Sequence, residues 1–223
     1  MSTDNINVAI SKLIQLGQRL DQKNLLSSFD GNLSYKISED RYLITKSGCM
    51  KGFLTAYDFV VIDSAGQKVS GEPEAQPSSE TVMHLEIYKH QKLAKSVFHA
   101  HPPTSIAFSV AHNKAKEFPL NFTSELILAL GQVPIVDYQR PGTKKMGEAL
   151  VPFLSDSKVM ILKYHGVVSW GESIEEAYRG VERLEHAAEI YLKAVSFGGV
   201  HSIDEKEMDY LKSLRQKIGF KTL

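Results

Sequence analysis

Apolar residues recur at helical spacing at the start of the chain, where Ile6, Ile10, Leu13, Ile14 and Leu20 share one face behind Asp4, a residue suited to an N-cap. This predicts an amphipathic opening helix. The pattern then changes to short β-branched and aromatic runs, Leu33 to Ile37, Tyr42 to Thr45 and Phe59 to Ile62. Ser38-Glu39-Asp40 and the region of Gly48 separate these runs, and Ser64-Ala65-Gly66 closes them, so they predict strands of one sheet. The Pro- and Ser-bearing stretch from Gly71 to Glu80 predicts a loop, and helix-compatible residues continue from Glu80 to Leu93. Ser78, Ser79 and Glu80 therefore fall where a loop enters a helix.

Ser96 to Ala100 predicts another strand, running into His101-Pro102-Pro103, whose paired prolines suit a turn before a helix. Val133 to Val136 and Val159 to Lys163 predict two buried strands, with a helix from about Thr143 to Phe153 between them. The longest helix is expected from Glu172 to about Ser196. Ala177, Val181, Leu184, Ala188, Tyr191, Leu192 and Val195 would form its apolar face, with Gly198-Gly199 as its stop. A final helix is expected from Ser202, with Glu205 completing a capping box. No repeat, low-complexity tract or linker divides the chain, so residues 1–223 read as one α/β domain with a mixed sheet.

Composition narrows the class. With 43% hydrophobic and 23% charged residues the chain is ordinarily globular, and 26 basic residues balance 26 acidic ones. No net field draws it to nucleic acid or to an anionic membrane, so an anion would need a local site. The single cysteine, Cys49, excludes an internal disulfide framework, and MSTDNINVAI lacks the layout of a signal peptide. Apolar runs such as Val159 to Leu162 fall far short of the roughly 20 residues that cross a bilayer. A cytoplasmic protein is expected.

Candidate chemistry centres on the histidines. Side chains alternate across a strand, so His99 and His101 point to the same face and can reach one cation. His165 follows the strand Val159 to Lys163 and precedes Gly166, where the chain is expected to turn, which makes it a third candidate ligand. Three histidines with an open position are the pattern of a catalytic zinc site. An H-x-H pair alone arises often by chance. His84, His90, His112, His186 and His201 have no second histidine at ligand spacing and are assigned no role. Glu80 in isolation is a helix N-terminal acid favoured by the macrodipole.

Three short elements could donate to a phosphate: Gly31-Asn32-Leu33-Ser34, Lys46-Ser47-Gly48 and Ser78-Ser79. Each alone also reads as an ordinary turn or cap. Neither GxxxxGK(S/T) nor GxGxxG occurs, which disfavours a nucleotide-driven reaction.

In order along the chain stand Gly31-Asn32-x-Ser34, Thr45-Lys46-Ser47-Gly48, Pro77-Ser78-Ser79-Glu80 followed by His84, and His99-x-His101. Further on come Val133-Pro134 with Tyr138 and Gly142-Thr143, His165-Gly166-Val167, and a helix with Glu176-Ala177 and Glu182. Together these resemble the class II aldolase/adducin family over nearly the whole chain, and Glu80 brings them nearest to its fuculose-phosphate aldolase branch. The epimerase branch typically carries aspartate at that place.

The resemblance implies a mainly antiparallel sheet flanked by helices, one Zn2+ per subunit, and a homotetramer. It implies metal ligation by Glu80, His99, His101 and His165, with Glu80 also the catalytic acid/base. It implies phosphate binding by Gly31, Asn32, Ser47, Gly48, Ser78 and Ser79, and reversible cleavage of a ketose 1-phosphate like L-fuculose 1-phosphate to dihydroxyacetone phosphate and an aldehyde. Lys46 replaces the proline common at its place. The branch's tyrosine proton donors align with Asn121-Phe122-Thr123 and with Ile218, where this chain has no tyrosine. A metal-ordered water or Tyr138 are the substitutes. A dehydratase, epimerase or decarboxylase using the same chemistry, or a non-enzymatic adducin-like interaction protein, are the alternatives.

Overall fold

A computed structural model describes residues 3–219, with the side chains of Thr3 and Asp4 left out; the expected Asp4 cap thus lies outside the described residues. Helix α1, Thr3–Gln22, opens the chain and buries Leu13 and Leu20 fully, as the periodicity predicts. Strands β1 (Asn32–Ser38), β2 (Arg41–Thr45) and β3 (Phe59–Ile62) follow at the expected places. β4, Lys68–Ser70, is a short edge strand with little burial and so left no apolar signature. Helix α2, Thr81–His90, is followed by β5, Ser96–Ala100, and α3, Pro103–Ala111.

The second half is more fragmented than its sequence suggests. A short α4 (Ser124–Ala129) precedes β6, which is only Ile135–Val136. The helix expected over 143–153 divides into α5, Lys144–Glu148, and a single 3-10 turn at Val151–Phe153. Pro152, inside that turn, has no N–H to continue an α-helix. β7 (Val159–Leu162) is followed by β8 (Gly166–Gly171), so Gly166 begins a strand and the turn falls at Lys163–His165. α6 spans Ile174–Ser196, capped by the Ser173 side chain on the Glu176 amide. On its apolar face Ala177, Val181, Leu184 and Ala188 are buried, whereas Leu192 and Val195 are exposed. α7, Glu205–Ile218, is capped by Asp204, not Ser202, whose hydroxyl accepts a hydrogen bond from Asn121 instead.

The described strands form one sheet in the order β4-β3-β2-β1-β5-β8-β7-β6, antiparallel except for the β6–β7 pair. Each face carries its own apolar core. Leu33, Phe98 and Ile161 join α1 and α6 residues on one side; Ile44, Val97, Met160 and Trp170 join α2 residues Met83, Ile87 and Tyr88 on the other. Burying each of these large side chains contributes about 1.5–3 kcal/mol. Because side chains alternate, placing Phe98 and Ala100 in the α6 core turns His99 to the α2 face. The Asn32–His99 and His99–Val168 pairings put His99 mid-sheet, between β1 and β8.

Candidate metal centre and substrate cleft

His99, His101 and His165 converge so that one nitrogen from each lies within 4.8 Å of the others. His99, fully buried, donates from Nδ1 to the Val167 carbonyl at 2.9 Å, and His101 Nδ1 faces Asp30 Oδ2 at 3.2 Å. A neutral imidazole that donates from Nδ1 has a bare lone pair at Nε2. Yet the two Nε2 atoms lie 3.0 Å apart, with Glu80 Oε2 a further 3.2 Å from that of His99. Acceptors crowded at this range require a cation or proton among them, and Glu80 Oε1, buried without a hydrogen-bond partner, adds an orphaned acceptor. Three imidazoles and a carboxylate suit a divalent cation, zinc among others. His99 and His101 also have the partners on their far ring nitrogens that commonly fix a metal-binding tautomer.

The surrounding chain holds these rings closely. His101 is tied by its amide to the Leu25 carbonyl, and the α3 helix that follows Pro102 has its first amides, at Thr104 and Ser105, capped by buried Glu185. His165 sits beyond Tyr164, a left-handed residue (φ 60°) whose amide donates to Ser109 of α3. Gly166 is packed so tightly that a Cβ there would lie 2.9 Å from both the His99 and His101 rings and 2.5 Å from the Ala100 carbonyl oxygen. Only glycine fits between β8 and the end of β5.

Burial pushes the His101 and His165 imidazoles down, to about 3 and about 4, so both rings are neutral lone-pair donors near pH 7. Burial alone would raise the Glu80 carboxyl. The close approach to His99 and the hydrogen bond from the Asn32 amide more than offset it, and Glu80 is held well below the usual carboxylate range. Glu80 itself occupies the N-cap position of α2, which begins at Thr81, one residue after the expected start.

Beside the histidines lies an open cleft of about 210 Å3, lined by Gly31, Asn32, Ser47, Gly48, Ser78 and Ser79 together with Glu80, His101 and His165. The three separated elements expected to bind phosphate thus share one wall. The Asn32 side chain is committed elsewhere, donating to Glu80 Oε2 at 2.7 Å and facing His84 Nε2 with its carbonyl at 2.5 Å. Lys46 reaches the cleft but pairs with Asp58 at 2.8 Å.

Two residues escaped the sequence reading. Lys51, buried and lining the cleft, donates to the Phe29 and Cys49 carbonyls, and no spacing marked it. His84, assigned no role, is 1% exposed and joined to the site through Asn32; its recurrence four residues after Glu80 was the available signal. Tyr138 is exposed and lines a separate depression that also touches His165. The segment 121–123 is tied to the chain before α7, and Ile218 ends that helix, so neither place brings an acid group to the cleft.

The family profile described as Class II Aldolase and Adducin N-terminal domain matches residues 11–192. An L-fuculose phosphate aldolase of Methanococcus vannielii is 36% identical over 177 residues, covering 79% of this chain and 91% of the relative. A 3-oxo-tetronate 4-phosphate decarboxylase of Pectobacterium atrosepticum is 30% identical over 183 residues, covering 82% and 83%. Among solved structures, an L-fuculose 1-phosphate aldolase superposes with a TM-score of 0.82 at 26% identity, covering 97% of this chain and 98% of that one.

Proposed function

The chain belongs to the class II aldolase and adducin family, and on that premise we propose that it is a zinc-dependent aldolase that reversibly cleaves a ketose 1-phosphate to dihydroxyacetone phosphate and an aldehyde. The observation that carries this reading is Glu80: a buried carboxylate with Oε2 held by the Asn32 amide and Oε1 facing His165, beside three convergent histidines and a phosphate-sized cleft. His99, His101 and His165 would hold the cation, with Glu80 a fourth ligand in the absence of substrate. A cation there supplies a Lewis acid for the negative charge that builds on oxygen as the carbon–carbon bond breaks.

The residues of the chain do the rest. The hydroxyls of Ser47, Ser78 and Ser79 and the flexible backbone at Gly31 and Gly48 receive the phosphate, and Lys51 adds a positive charge to the same wall. That anchor sets the reacting carbons against Glu80, whose Oε1 exchanges a proton with the carbon that becomes the hydroxymethyl group of dihydroxyacetone phosphate. The Asn32 amide holds Oε2 throughout, so exchange at Oε1 needs no rotation of the carboxylate. Assembly as a cytoplasmic homotetramer completes this reading.

One observation favours a second reaction on the same centre. Aldol cleavage needs a base for the hydroxyl of the departing aldehyde, and no tyrosine lines the cleft among the described residues. Loss of CO2 from a phosphorylated 3-oxo acid needs no such base and leaves the same three-carbon fragment for Glu80 to protonate. Incubating the zinc-loaded protein with ketose 1-phosphates and with 3-oxo-tetronate 4-phosphate separates the two. Dihydroxyacetone phosphate with an aldehyde supports the aldolase; CO2 from the second substrate alone supports the decarboxylase, and no dihydroxyacetone phosphate from either refutes both.

A further inference from the structure

Behind Glu80 the sheet and α2 bury a line of polar groups that runs from Asn32, at the cleft wall, into the interior. Asn32 and Ser34 alternate on β1 toward α2, which presents His84 and Tyr88 one helical turn apart. Tyr88 OH lies 2.7 Å from Ser34 Oγ, which lies 2.6 Å from His84 Nδ1; His84 Nε2 is 2.5 Å from Asn32 Oδ1, and Asn32 Nδ2 is 2.7 Å from Glu80 Oε2. All of these residues are at least nine-tenths buried.

The donors and acceptors can be ordered from one end. A carboxylate only accepts, so the Asn32 amide nitrogen must face Glu80 and its carbonyl oxygen must face His84. That oxygen also only accepts, so His84 carries its proton on Nε2. Within so dry a site, and with no carboxylate in contact, the ring is neutral, which leaves a lone pair on Nδ1. Ser34 therefore donates to His84, and its oxygen accepts from Tyr88. Every hydrogen points toward Glu80.

From this geometry we propose that Tyr88, Ser34, His84 and Asn32 form a one-directional hydrogen-bond chain that clamps Glu80 by Oε2 and reserves Oε1 for proton exchange. His84, fixed as its Nε2–H tautomer, is a positioning residue that acts through Asn32. Without it the Asn32 carbonyl has no buried donor, its amide can turn, and Glu80 loses the contact that sets its carboxylate plane. The inference rests on Glu80 as the proton-exchanging group, so its test must separate the two ideas.

Nitrogen NMR of the metal-loaded, 15N-histidine-labelled wild type, with His84 assigned by its absence from His84→Gln, reads the tautomer without any catalytic assay. A pyrrole-type Nε2 and a pyridine-type Nδ1 are expected from pH 6 to 8; an Nδ1–H tautomer or an imidazolium would overturn the chain. Exchange of dihydroxyacetone phosphate protons in D2O then reads function. His84→Leu is expected to lower kcat about 10- to 100-fold, with KM within about twofold and zinc content unchanged. His84→Gln keeps a donor for Asn32 and an acceptor for Ser34, and should restore most of that loss. Equal losses in both variants, or a wild-type kcat in His84→Leu, would overturn the positioning role. In parallel, an active Glu80→Gln would overturn the underlying reading itself, whereas an inactive Glu80→Gln with the wrong His84 tautomer overturns the chain alone.

Discussion

Gly166→Ala should weaken the metal centre while leaving every ligand in place. The added methyl group would meet the Ala100 carbonyl oxygen at 2.5 Å and carbons of the His99 and His101 rings at 2.9 Å. Ordinary contacts of these kinds begin near 3.2–3.5 Å, so the neighbours must yield by roughly 0.5 Å or more, and β5 can do so only by parting from β8. Overpacking of this degree costs about 1–3 kcal/mol of stability. Displacing two of three ligands by a comparable distance should lower metal affinity about 10- to 100-fold, the range found when the partners that orient metal ligands are removed. Competition with a chromophoric zinc chelator measures the affinity, and thermal unfolding of the metal-free protein measures the packing cost separately. A variant with wild-type zinc affinity would refute the close packing of Gly166 against the ligand rings as a determinant of the site.

Chelation should abolish activity and lower the unfolding midpoint, because a cation at about 1,000 times its dissociation constant stabilises the fold by about 4 kcal/mol; an unchanged midpoint would argue that the histidine cluster binds no metal. Metal-free protein should lose stability on acidification. Burial lowers His84 to about 3, so below the unfolded value near 6.5 the unfolded chain binds a proton that the folded one refuses. Stability is therefore full above about pH 6.5 and falls toward pH 3 by about 1.4 kcal/mol per unit from His84 alone, with His101 and His165 adding to the slope; urea titrations at pH 7 and pH 5 read it. Lys158→Ala removes the cation that buried Glu176 meets at 2.8 Å beneath Trp170 and should cost about 3–5 kcal/mol in chemical denaturation, far from the site and without altering zinc content.

What the sequence disclosed followed from local periodicity. His99 and His101 share a face because a strand alternates, and Glu80 stands at a helix start because prolines and serines end there; both readings hold in the structure. β8 has no clear signature in the sequence because its apolar run is framed by His165 and the acids that open α6, which together read as a turn. Asn32 was read as a phosphate donor from its glycine neighbour, whereas its side chain is committed to Glu80 and His84, 48 and 52 residues away. His84 was dismissed for having no histidine at ligand spacing, yet its partners lie across a β1–α2 contact that no local pattern encodes. The candidate ligands were thus legible one by one, while the groups that orient them depend on the tertiary fold.

On the proposed mechanism Glu80 exchanges a proton with the carbon of a three-carbon phosphate held beside the bound cation. Dihydroxyacetone phosphate in D2O tests this without knowledge of the aldehyde. Proton NMR should show stereospecific loss of one hydroxymethyl hydrogen with the zinc-loaded wild type, and none with Glu80→Gln or after chelation. Exchange that persists undiminished in Glu80→Gln, or its absence from the zinc-loaded wild type, would contradict the account.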